Sequence, residues 1–145
     1  MGIFDKLFGG SSTPDFPELS QDDPAAGYLD SLRQPLEKFV SEVPDPIEVV
    51  PASDTAYFFI GKPPKKFGIA WIGEQGEIVN FKSLVEEKGL SPVSLEMLSD
   101  KLKAVYIEHQ QEPRYTKTVL DKKIVVTPSQ TLREDVVKVV NEMVG

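Results

Sequence analysis

The sequence contains no cysteine and only one histidine, His109, among its 145 residues. Without cysteine, a thiol nucleophile, a thiolate metal site and a disulfide are all excluded. A catalytic or metal site that depends on histidine has a single candidate residue. The sequence also lacks a Gly-rich nucleotide-binding motif, an EF-hand loop and a serine-centred elbow. These absences predict a protein without enzymatic activity, cofactor or bound metal.

Positive charge is also scarce in this chain. It has 16 Lys and Arg residues against 23 Asp and Glu residues, a formal net charge of −7. Nucleic acid is therefore not expected as a partner, and attraction to anionic lipid should be weak. No run approaches the roughly 20 apolar residues of a membrane span, and the start does not resemble a secretory signal. We expect a cytoplasmic protein, with a peripheral position at the inner membrane surface as the alternative.

The composition is that of a globular protein, with 40% hydrophobic and 27% charged residues in a length that fits one domain. The chain divides by composition into three parts. Residues 1–10 predict an amphipathic tail, residues 11–24 an acidic linker rich in Pro and Ser, and residues 25–145 a single domain.

The tail places Ile3, Phe4, Leu7 and Phe8 at helical spacing. These four side chains are candidates for docking to a partner protein, to a second copy or to a membrane; a disordered tail is the further alternative. The segment Gly2–Leu7 (GIFDKL) resembles the short N-terminus of glucose-specific phosphocarrier proteins, and that resemblance implies membrane association. Full burial of four apolar side chains contributes roughly 6–12 kcal/mol. Ordering eight residues costs about 8–16 kcal/mol, so membrane binding by the tail alone should be weak.

The pattern of the remaining residues predicts an α+β fold. An antiparallel meander sheet of about four or five strands should be packed by three helices, in the order α-βββ-α-β(β)-α. Apolar runs on both faces of the first strands predict that helices or a second protomer cover the sheet. The predicted strands are residues 56–60, 67–72, 77–81, 114–119 and 122–127. The predicted helices begin near Ala25, at Pro92 and after Thr131, and their apolar stripes reach Val43, Tyr106 and Met143.

One candidate ligand site combines three residues that lie close together in the sequence, near the end of the second predicted helix and just after it: His109, Arg114 and Tyr115. The imidazole could act as a general base while the guanidinium holds an anionic substrate. The alternative is structural, because a histidine near a helix C-terminus interacts favourably with the helix dipole. A small enzyme or binding protein would require all three residues in one pocket.

A second candidate surface lies on the predicted meander. The loop GKPPKK gathers Lys62, Lys65 and Lys66, which could meet an acidic partner but could also simply be solvated. Trp71, the only tryptophan, is either a core residue or an interface anchor.

Taken together, these patterns favour an adaptor or chaperone-like domain that binds another protein or itself. The element order, length and acidity are similar to those of the small acidic chaperones of type III secretion, a resemblance that implies dimerisation. A small enzyme centred on His109 and a peripheral membrane protein held by residues 1–8 remain as alternatives.

Overall fold

The computed structural model describes residues 16–63, 65–73 and 75–144. Its helices are α1 (Pro24–Ser31), α2 (Arg33–Glu42), α3 (Phe81–Lys88), α4 (Pro92–Glu108) and α5 (Gln130–Val144). Its strands are β1 (Ile47–Pro51), β2 (Ala56–Lys62), β3 (Lys66–Ile72), β4 (Ile78–Asn80), β5 (Tyr115–Val119) and β6 (Lys122–Val126). The predicted α+β class is confirmed. The tail residues Ile3, Phe4, Leu7 and Phe8 lie outside the described residues.

The strands form one mixed sheet in the order β4-β3-β2-β1-β6-β5. The predicted meander is present, because β2 pairs antiparallel with β3 and β3 with β4. The sheet differs from the prediction in having six strands among the described residues and one parallel pairing, β1 with β6. That pairing brings Val49 beside Val126, two residues far apart in the chain.

Helices cover both faces of the sheet, as the apolar strands predicted. Because side chains alternate along a strand, Phe58 and Phe59 enter different cores. The first core lies between the sheet and the helices α3, α4 and α5, around Phe59, Trp71, Leu98, Leu102 and Leu132. The second lies between the other face and the helices α1 and α2, around Leu29, Phe39, Ile47, Phe58 and Ile124.

The described residues form five helices rather than the three predicted, for two local reasons. Pro35 lies inside the first predicted helix, and a proline there predicts either a kink or a new helix with Pro35 in its first turn. The second outcome is observed, because the helix breaks at Leu32 and α2 begins at Arg33. The second reason is α3, which begins at Phe81, a residue predicted to be in a strand. Asn80 and Ser83 form a capping box at its start, satisfying backbone groups that the helix leaves unpaired.

The second half of the predicted linker runs along the edge of the sheet. Leu19 N donates to Thr116 O at 2.8 Å, and Thr116 N donates to Pro17 O at 2.8 Å. The segment therefore extends the β5 edge and reduces the unpaired backbone that an edge strand presents.

Candidate functional site

The longest described helix, α4, is apolar on two opposite sides. Its inner side buries Leu98, Leu102, Val105 and Tyr106 in the first core. On the outer side, Val93, Met97 and Ile107 are 66%, 48% and 47% exposed. A helix on the surface of a globular protein normally shows a polar outer side, and apolar residues on both sides are typical of a helix that is covered on both.

The exposed apolar residues of α4 follow a spacing of four and three residues. We define the α4 seam as Val93, Met97, Asp100, Ala104 and Ile107, all of which are exposed. Residues at this spacing form one stripe along a helix, as they do in helix–helix interfaces. The stripe is about 21 Å long, at 1.5 Å per residue. It therefore has the length and pattern that a second helix requires for packing.

Asp100 lies at the middle of the α4 seam and is its one charged residue. Among the described residues it makes no ion pair and no side-chain hydrogen bond. The neighbouring Lys101 lies 3.9 Å from Glu142 of α5. Asp100 thus presents an unmatched negative charge inside an otherwise apolar stripe.

Two of the three lysines predicted as an interface, Lys62 and Lys66, line an open groove of about 580 Å³ at one end of the sheet. Lys62 and Lys66 stand opposite each other on β2 and β3, and Ile60 and Gly68 also line the groove. Lys65 is exposed in the connecting turn. Trp71 is not part of this groove: it is 9% exposed and packs in the first core, with its ring 6.1 Å from that of Tyr57.

A buried polar network joins β1 to the end of α4. Glu48 is 8% exposed and accepts hydrogen bonds from the hydroxyls of Tyr106 and Thr127, each at 2.8 Å. Arg114 Nε donates to Glu48 Oε2 at 3.2 Å, and its guanidinium lies 5.3 Å from the centre of the Tyr106 ring. Arg114 Nη1 also donates to Gln110 O at 2.7 Å. The Arg114 guanidinium therefore already contacts Glu48, Gln110 and Tyr106 within the protein.

His109 ends α4 and lies between carboxylates. Its Nε2 is 2.7 Å from Asp135 Oδ2 on α5, and its Nδ1 is 3.4 Å from Glu112 Oε2. Burial by itself lowers the pKa of His109, but the hydrogen bonds and charges of Asp135 and Glu112 together raise it above the ordinary value. The ring is thus oriented at both nitrogens.

The contacts of the three predicted residues differ. Arg114 belongs to the Glu48 network. Tyr115 lies on β5, on the same side of the strand as Val119, which packs in the second core. His109, Arg114 and Tyr115 line neither the lysine groove nor the smaller cavity between α1, α2 and β5. The tyrosine that contacts Arg114 is Tyr106, which sequence spacing did not single out.

Two tyrosines should ionise only at unusually high pH. Burial, with the negative charge of Asp54, raises the pKa of Tyr57, and burial with the charge of Glu48 raises that of Tyr106. The unfolded chain then releases these protons first, so stability present below about pH 10 is lost as the pH rises.

The measurement is tyrosinate absorbance alongside urea unfolding at pH 9 to 12. Tyr57→Phe and Tyr106→Phe should each remove one late-ionising group and flatten the alkaline loss of stability. Ionisation of both residues near pH 10 with no loss of stability would contradict the assignment.

Comparisons with protein-family models, curated proteins and solved structures gave no match. Within the described residues, none of the helices has the length and apolar character needed to cross a membrane.

Proposed function

We propose that this protein is a non-enzymatic interaction domain that binds an amphipathic helix of a partner protein along the α4 seam. The observation that carries the proposal is the exposure of Val93, Met97 and Ile107 on one side of a helix whose other side is buried. Two helices pack along such a stripe, whose members lie three and four residues apart.

The partner's chemistry follows from the composition of the seam. Apolar residues at positions three and four apart would cover Val93, Met97 and Ile107, and a Lys or Arg would lie opposite Asp100. A single polar position in an apolar seam fixes the register of the two helices. The partner helix is therefore expected to be amphipathic, with one basic residue near the middle of its apolar stripe.

A second copy of this chain is a poorer occupant than a different protein. A twofold pairing of two seams about their middle would place Asp100 against Asp100 of the other copy, and like charges at an interface are costly. A membrane is also disfavoured, because Asp100 lies within the stripe and burying its charge among lipid chains would be costly. We propose a cytoplasmic location for the same protein, in keeping with the absence of cysteine.

The energy available from the seam is moderate. Completing the burial of three half-exposed side chains contributes about 2–5 kcal/mol. This reaches at most the lower end of the roughly 4–15 kcal/mol that association of two molecules costs, so flanking contacts must complete the interface. The seam would act as the central cluster of such an interface, where single substitutions have large effects.

The test is capture from cells of origin with wild-type protein, Met97→Glu and Leu120→Glu. Met97 and Leu120 are 48% and 55% exposed, but Leu120 lies in the turn between β5 and β6, away from the seam. A protein retained by wild type and Leu120→Glu should be lost by Met97→Glu. With that protein purified, Met97→Glu should raise the Kd by about tenfold or more.

A partner bound equally by both variants would contradict the seam as the binding surface. A second experiment reverses only the charge at position 100. Asp100→Lys should weaken binding of the partner, and replacing the partner's basic residue by Glu should restore binding to that variant. If the charge reversal restores nothing, the predicted register is wrong.

A further inference from the structure

A second cluster on the molecule, at the junction of α4 and α5, has the composition of a metal site. One imidazole nitrogen of His109 and one carboxylate oxygen each from Glu108 and Asp135 lie within 4.8 Å of one another. The donors come from the end of α4, its C-cap and the helix α5. We propose that His109, Asp135 and Glu108 bind a divalent transition-metal ion of the Zn²⁺ class.

The imidazole is preorganised for this role. His109 is 9% exposed, and its backbone N–H donates to both Val105 O and Tyr106 O at the helix end. Glu112 N donates to His109 O at 3.1 Å, which holds the following turn against the ring. Glu112 Oε2 is 3.4 Å from His109 Nδ1. A carboxylate at Nδ1 orients the ring and can hold the Nδ1 proton when Nε2 binds a metal ion.

The second nitrogen, Nε2, is directed at Asp135 Oδ2, 2.7 Å away. Zinc bonds to nitrogen and oxygen are about 2.0–2.2 Å long, so two ligands of one tetrahedral ion lie roughly 3.4 Å apart. The Asp135 carboxylate must therefore move aside to admit the ion, and its side chain is 42% exposed and able to do so. The ion takes the place of the proton between the two groups, which leaves as the metal binds.

The local charge also favours a cation. Three carboxylates, from Glu108, Glu112 and Asp135, surround the single imidazole. A mixed set of imidazole nitrogen and carboxylate oxygen is suited to first-row transition ions, and three protein ligands leave positions for water. A bound metal ion would link α4 to α5 next to the C-terminal end of the α4 seam, which is Ile107.

The single histidine makes the test direct. Untagged, ¹⁵N-labelled full-length protein is titrated with ZnCl₂, and the His109 imidazole nitrogens are followed by NMR. Zn²⁺ should shift Nε2 strongly while Nδ1 keeps its proton, and it should raise the midpoint of thermal unfolding. Imidazole signals that stay unchanged with excess Zn²⁺ would overturn the proposal.

Three variants separate this site from general binding to an acidic surface. Asp135→Asn and Glu108→Gln should each weaken Zn²⁺ binding, and Glu112→Gln should weaken it roughly tenfold to a hundredfold by releasing the ring. The control is Glu142→Gln, which removes the same charge from an exposed carboxylate on α5 and should leave binding unchanged. Equal affinity in Asp135→Asn and Glu142→Gln would also overturn the proposal, by showing adventitious binding only.

Discussion

Replacing Glu48 by alanine is expected to lower the free energy of unfolding by about 3–5 kcal/mol. Glu48 accepts hydrogen bonds from Tyr106, Thr127 and Arg114 in a nearly buried position. Its removal leaves the Arg114 guanidinium, whose side chain is 12% exposed, without its carboxylate. It also leaves two hydroxyls without their acceptor, and unsatisfied buried groups are costly.

The matched control is Glu142→Ala. Glu142 lies 3.9 Å from Lys101, and both side chains are about half exposed, at 52% and 45%. A surface pair of this kind contributes about 0–1 kcal/mol, so its loss should be small. Urea unfolding followed by circular dichroism measures both variants. If Glu48→Ala costs no more than Glu142→Ala, the network is not the stabilising connection between β1 and α4 that we infer.

Replacing Phe58 by alanine should cost about 3–5 kcal/mol, mostly through the cavity it creates. Phe58 is fully buried in the second core, and its ring stacks on Phe39 of α2 with 4.2 Å between ring centres. Phe58 pairs with Ala70 of β3, a small residue that can fill little of the space. The contact joins α2 to the centre of the sheet.

A loss of this size is a large part of the total stability of a small domain, so Phe58→Leu provides a milder variant that should fold. It should cost clearly less than Phe58→Ala, because most of the cavity stays filled. Val85→Ala, at a residue 46% exposed on α3, is the control and should change stability by about 0.5 kcal/mol or less. Equal effects of Phe58→Ala and Val85→Ala would contradict the assignment of the second core.

The sequence predicted those elements whose signals are local. The strands β2 and β3 are rich in aromatic and β-branched residues and are separated by a loop with prolines and lysines, so their hairpin was predictable. The strand β1 was not predicted. It is five residues long, ends in Pro51, and is paired on one side by β6. A parallel pairing between distant segments leaves no periodic signal in a single sequence.

The contacts of the candidate site were harder to predict from the sequence, for the same reason. Glu48 meets Tyr106 and Thr127 only because the fold brings together residues 58 and 79 positions apart. His109 was identified as a candidate, but its partner Asp135 belongs to another helix, 26 residues away. The α4 seam, by contrast, could have been found. Together with Asp100 and Ala104, the residues Val93, Met97 and Ile107 follow the same three-and-four spacing as the buried side, and an apolar pattern on two sides of one helix indicates a second contact.

Photocrosslinking from position 97 tests the central claim most directly. A benzoyl-phenylalanine is introduced at Met97 in cells of origin, and a second protein carries it at Leu120, which is 55% exposed and off the seam. The probe at position 97 should yield a discrete adduct whose crosslinked segment is an amphipathic helix with a central Lys or Arg. Irradiation that gives no adduct at position 97, or the same adducts at both positions, would contradict binding of a partner helix along the α4 seam.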